Sequence, residues 1–185
     1  MIKAIRQRKP NRLKNFDYSS VGYYYITICT KNKQHYFGEI LDNKMILNEY
    51  GKIINKYWKS IPNHYQNVLL DEFIIMPNHI HGIVVIIRLN NNNQSTVGTG
   101  HCPVPTINMQ NNHYGLLSKI INGFKNVSTK TIRKQTNSFQ WQRSFYEHII
   151  RNEESLNKIR QYVRENPINW NNDRNNSAKD VRIIN

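Results

Sequence analysis

Apolar positions along this chain switch between two periods, and each switch marks an element. GYYYITICT at 22–30 is dense in β-branched and aromatic residues between Gly22 and a polar KNKQ run, the pattern of a strand. HYFGEILDNKMILN follows, with short apolar pairs on each side of Asp42-Asn43 that predict a small hairpin. From Asn48 the period changes: Tyr50, Ile53, Ile54, Tyr57, Trp58 and Ile61 recur every three to four residues, which is helical, and Pro62 is expected to close the helix. VLLDEFIIM at 68–76 and HIHGIVVII from His79 read as two strands joined through Pro77-Asn78, and so as antiparallel neighbours.

Residues 90–113 break every periodicity with Asn, Gly, Thr and Pro, and are expected to be an irregular insertion within one domain. From Tyr114 a second amphipathic helix carries Leu116, Leu117, Ile120, Ile121 and Phe124. FQWQRSFYEHIIRN at 139–152 alternates as a strand. Asn152 then caps a last helix with Glu153 and Glu154 in its first turn and a Leu156, Ile159, Val163 stripe, ending before Pro167. The remainder, INWNNDRNNSAKDVRIIN, is a polar tail with little predictable structure. Leaving out the last helix, the order βαββαβ predicts an α+β, ferredoxin-like antiparallel sheet with helices on one face. The whole chain, 1–185, is expected to be one domain with a basic N-terminal arm over about 1–20.

Two constellations carry chemistry. His79 and His81 alternate with Ile80 in a strand, so both imidazoles project from one face with Cβ atoms roughly 6–7 Å apart, and one cation fits between them. A bare His-x-His more often satisfies local hydrogen bonds. On the last helix Tyr162 and Asn166 lie one turn apart on a common face. Alone, they would be a tyrosine at the core rim and a helix-terminating asparagine. Taken together, the two pairs suggest one site: two imidazoles and an amide oxygen around a divalent cation, with a phenol beside it. A mixed nitrogen and oxygen set suits Mg²⁺ or Mn²⁺ acting on a phosphate.

Charge supports a polyanionic partner. Twenty-six Lys and Arg against 12 Asp and Glu give +14, spread along the chain, and 11 tyrosines with 3 tryptophans offer faces for unpaired bases. Cys29 and Cys102 make no disulfide framework, and His101, Cys102 and His113 lack zinc spacing. With no apolar stretch of about 20 residues and no apolar leader, the chain is expected to be free of membranes and cytoplasmic, associated with the nucleoid.

MPNHIHGI, followed by WQRSFYEHIIRNEESLNKIRQYVRENP and preceded by RLKNFDYSSVGYYYITICT, resembles the REP-associated tyrosine transposases, relatives of the single-tyrosine HUH transposases. The resemblance implies that His79 and His81 are metal ligands, that Asn166 takes the third ligand position, where many relatives have glutamine, and that Tyr162 is the nucleophile. It implies a metal-dependent nuclease and strand transferase on single-stranded DNA with hairpins, working through a covalent 5′-phosphotyrosine. Arg12 and Lys14 of the arm, with Arg143, are the residues expected to contact DNA. A non-catalytic RNA- or DNA-binding module is the competing expectation. Both a monomer and a homodimer with exchanged helices stay open.

Overall fold

The computed structural model describes residues 16–89 and 115–176. Arg12 and Lys14 of the arm, and the insertion with His101, Cys102 and His113, lie outside the described residues. Strand β1 (Gly22–Cys29) leads to the hairpin β2 (Gly38–Leu41) and β3 (Lys44–Leu47), whose turn residues Asp42 and Asn43 take φ of 48° and 60°. Two consecutive left-handed residues are what a tight two-residue turn needs to match strand twist, and Asp-Asn tolerates them. Helix α1 (Glu49–Lys59) starts where the Asn48 side chain accepts a hydrogen bond from the Gly51 amide at 3.0 Å.

Pro62 does not close α1, as expected from sequence, but falls in the first turn of the short helix α2 (Ile61–His64). There its missing N–H has no intrahelical partner to lose. Strands β4 (Val68–Met76) and β5 (His79–Ile86) follow, then helix α3 (Leu116–Ile132), strand β6 (Tyr146–Ile150) and helix α4 (Glu153–Glu165).

The sheet runs β4-β5-β1-β6, with every neighbouring pair antiparallel. The α+β class with an antiparallel sheet is therefore the one the sequence predicts. Since β5 lies between β1 and β4, the β1–α1–β4 connection passes over a strand, the split βαβ arrangement. The sixth strand is shorter than its sequence pattern. Residues 143–145 leave the ladder, which resumes at an isolated Trp141–Thr30 bridge where the Gln142 amide donates to the Cys29 carbonyl at 2.8 Å, and the carbonyls of Gln142 and Ser144 accept from Lys125 Nζ at 2.6 and 3.4 Å.

Alternation along the central strands builds two cores. Tyr24, Ile26, Ile28, Ile80, Val84 and Ile86 face α1 and α3, where Trp58 meets Phe124 edge to face at 5.2 Å. Gly82 sits on this side because a Cβ there would stand 2.6 Å from Trp58 Cζ2. The other face holds Tyr25, Ile83, Val85 and Ile150 against Leu156 and Val163 of α4. The histidine face is thus not the open surface expected for helices on one side only. Helix α4 and the segment after it cover it, and His79 and His81 are 0% and 2% exposed.

Candidate active site

Strand β5 begins at His79, which lies opposite Cys29 on one side and Met76 on the other, while His81 lies opposite Thr27 and Ile74. Central strands with neighbours on both sides fix the two imidazoles with little freedom. The nitrogens His79 Nε2 and His81 Nε2 stand 3.0 Å apart. Each ring is held from behind. His79 Nδ1 donates to Asn78 Oδ1 at 2.7 Å, because a carbonyl oxygen can only accept. His81 Nδ1 faces Tyr25 Oη at 2.7 Å and Thr27 Oγ1 at 2.9 Å. With its Nδ1 protonated, His79 points its Nε2 lone pair at His81 Nε2, and the His81 tautomer that donates from Nδ1 to the two hydroxyls turns a second lone pair into the same space.

Burial keeps these rings neutral. It pushes His79 down to about 4 against the pull of Asp173, with Lys33 and Arg174 adding to the shift. It also holds His81, next to His79, well below the usual imidazole range. Neutral imidazole is the ligating form.

Asp173 completes the group. Its Oδ2 lies 3.9 Å from His79 Nε2, and donor atoms of His79, His81 and Asp173 all fall within 4.8 Å of one another. Sequence reasoning missed this residue, since it sits in the tail that shows no periodicity. Two contacts bring the tail back: Asn78 Nδ2 donates to the Asn175 carbonyl at 2.7 Å, and Lys33 Nζ to the Arg174 carbonyl at 2.5 Å. Trp170, 9% exposed, anchors it against the His79 ring at 6.0 Å.

The two residues predicted on α4 arrive at the same place. Tyr162 Oη is 3.5 Å from His81 Nε2, and its ring meets His81 at 5.3 Å. Asn166 is the C-cap of α4 and buried, and its Oδ1 has no hydrogen-bond partner. The same side chain hydrogen-bonds Tyr162, and an orphaned amide oxygen is a donor that a hard or borderline divalent cation takes. Two nitrogens bound at right angles roughly 2.1 Å from one cation would lie about 3 Å apart, the separation of the Nε2 pair. The residues therefore fit a metal.

Burial, then the charge of Asp173, raises the Tyr162 phenol, while hydrogen bonds from Asn166 and Tyr25 work the other way. Tyr25 was also missed as a site residue, although it stands in the GYYYITICT motif. Its ring stacks on His81 at 5.6 Å and its hydroxyl joins His81 to Tyr162. Arg143 lies apart from this cluster, on a groove of about 330 Å³ along α3 with Lys125, Arg133 and Trp141.

The sheet thus carries two paired, buried histidines with the Tyr162 helix laid over them. The solved structure of a REP-associated tyrosine transposase bound to a REP hairpin has this fold, with a TM-score of 0.55, 16% identity, and coverage of 86% of this chain and 74% of that one. An uncharacterized protein of Haemophilus influenzae is 40% identical over 176 residues, spanning 92% of this chain and 93% of its own length. The chain belongs to the same family as this Haemophilus protein. No family model matches it. Among the described residues no helix is long and apolar enough to cross a membrane.

Proposed function

We propose that this chain is a metal-dependent single-stranded DNA nuclease and strand transferase, a transposase that acts at hairpin-forming DNA through Tyr162. The observation that carries the reading is the convergence of the Tyr162 hydroxyl, the His79–His81 pair and Asp173, with Asn166 hydrogen-bonded to Tyr162. A binding module has no use for a buried cation site beside a half-exposed phenol. The net charge of +14 suits a polyanion, and the fold neighbour is bound to a REP hairpin.

His79, His81 and an oxygen from Asn166 or Asp173 would hold a divalent cation of the Mg²⁺ or Mn²⁺ kind, which when bound would supply positive charge against the phosphate. Tyr162 provides the nucleophile. Its oxygen bonds to phosphorus as the bond to O3′ breaks, the phenol giving up its proton and O3′ taking one, so the products are a free 3′-hydroxyl and a 5′-phosphotyrosine. Asn166 and Tyr25 favour the developing phenolate by donating hydrogen bonds to it. His81 is kept in orientation by Tyr25 and Thr27, and His79 by Asn78. Since the phosphodiester energy stays in the phosphotyrosine, attack by another 3′-hydroxyl completes strand transfer without a further energy source.

The test uses end-labelled hairpin DNA from the flanks of the chain's own gene, incubated with Mg²⁺, Mn²⁺ or EDTA and resolved on denaturing gels. A metal-dependent adduct on the 5′ end of the downstream fragment, lost in Tyr162→Phe, is expected. Tight hairpin binding with no adduct in either metal, across several flanking sequences, would replace this reading with the binding module.

A further inference from the structure

Beside the histidine pair, on the same face of the sheet, lies a cleft of about 320 Å³ whose lining includes none of the metal-donor residues. Thr27, which touches His81, forms part of its lining, with Lys33 and Arg174, Tyr146, and the polar side chains of Gln142 and Asn175. Tyr146 is 44% exposed, and its ring leans edge-on to Tyr25 at 6.2 Å, one ring away from His81 and Tyr162. The Arg174 guanidinium stands 5.9 Å from the Tyr146 ring centre. An exposed aromatic face, two cations and two amide side chains in a space of this size match the parts of a nucleotide: a flat base, a charged phosphate and a hydrogen-bonding edge.

We propose that this cleft seats an unpaired nucleotide next to the scissile phosphate, with its base on Tyr146, its phosphate between Lys33 and Arg174, and its edge facing Gln142 and Asn175. The inference rests on the transferase reading and adds the subsite that would hold the strand in register with Tyr162. The cleft reaches the phenol through Tyr25, so a base seated on Tyr146 would bring its neighbouring phosphate towards the metal donors. The groove with Lys125, Arg133 and Arg143 lies across the 142–144 segment, where the strand's next phosphates would find cations.

The test is binding, read in EDTA on Tyr162→Phe protein so that no covalent step is needed. Fluorescein-labelled single strands of about ten nucleotides, each a homopolymer of one base, serve as probes. Tyr146→Ala should weaken binding roughly tenfold and Tyr146→Phe should preserve it, since stacking needs the ring and not the hydroxyl. Arg174→Gln should lower the slope of log affinity against log salt by about one counterion. Strands carrying 5-iodouracil should photocrosslink to the peptide containing Tyr146. Wild-type affinity in Tyr146→Ala, or crosslinks confined to other peptides, would overturn the subsite. If binding shows the Tyr146 dependence while wild-type protein forms no adduct with metal, the subsite stands and the transferase reading falls. An adduct that forms while Tyr146→Ala binds normally leaves the transferase chemistry in place and removes the subsite.

Discussion

Helix α4 must hold Tyr162 against His81, and its ion pair with β4 tests how. Arg160 Nε and Nη2 donate to Asp71 Oδ1 and Oδ2 at 2.9 and 2.6 Å, with the side chains 27% and 16% exposed. Asp71 sits where the β4–β5 register shifts between Leu70 and Phe73, so the bulge aims the carboxylate at the helix. A bidentate, partly buried pair is worth more than an exposed ion pair, about 2 kcal/mol. Leu156 and Val163, both fully buried, contribute roughly 1.5–3 kcal/mol each. The apolar stripe therefore keeps α4 on the sheet, and the ion pair fixes its rotation. Asp71→Asn should lower the urea midpoint by about 1 M at neutral pH, taking an m-value of roughly 2 kcal/mol/M, and should slow adduct formation without abolishing it. Burial raises the Asp71 pKa, but the Arg160 hydrogen bonds, the Glu72 amide and the charges of Arg160 and Arg164 together outweigh it and leave it lowered. A lowered carboxylate stabilises the fold above its unfolded value, about 3.9, and that contribution disappears as pH falls through the folded value. The stability gap between wild type and Asp71→Asn should thus be full at pH 7 and shrink below pH 4. Equal urea midpoints at pH 7, or a gap that does not change with acid, would refute the reasoning.

Gly82→Ala places a methyl 2.6 Å from Trp58 Cζ2 and 3.2 Å from Phe73 Cβ, and should cost about 1–3 kcal/mol, lowering the melting temperature by several degrees; an unchanged melt would mean Trp58 yields freely. Tyr25→Phe keeps the ring but removes the hydroxyl at 2.7 Å from His81 Nδ1, so Mn²⁺ affinity measured by electron paramagnetic resonance should fall by roughly 10–100-fold. Wild-type affinity there would deny the hydroxyl any part in orienting His81. The same titration separates the two oxygen donors. Asp173→Asn should weaken Mn²⁺ about tenfold if the carboxylate ligates, whereas Asn166→Asp should strengthen it by adding a charge. Indifference of both variants would place the third ligand elsewhere.

What was legible in the sequence followed from period. The apolar, β-branched runs of 68–76 and 79–86 on either side of Pro77-Asn78 gave β4 and β5, Asp42-Asn43 gave the hairpin turn, and Asn152 gave the start of α4, because each depends on residues close in sequence. His79, His81, Tyr162 and Asn166 could be paired in advance for the same reason, two on one strand face and two on one helix face. Their meeting could not be derived from spacing; the chemistry of the donor set suggests it and the family resemblance implies it. Asp173 was out of reach for a physical reason. Its place depends on hydrogen bonds between Asn78 and the Asn175 carbonyl, 97 residues apart, and between Lys33 and the Arg174 carbonyl, 141 apart. Neither end of such a contact has a pattern of its own. Strand β6 failed in the opposite direction: its aromatic alternation predicts one continuous strand, but the pairing with β1 changes register between Tyr146–Thr27 and Trp141–Thr30, and the intervening carbonyls of Gln142 and Ser144 turn to Lys125. The last turn of the chain's described part thus joins the site through backbone carbonyls, which accept from any donor in reach. Changing the side chains of Arg174 or Asn175 should leave Asp173 near the histidines, whereas losing the Asn78 amide, which donates to both Lys33 and Asn175 carbonyls at 2.9 and 2.7 Å, should release the tail and loosen His79 together.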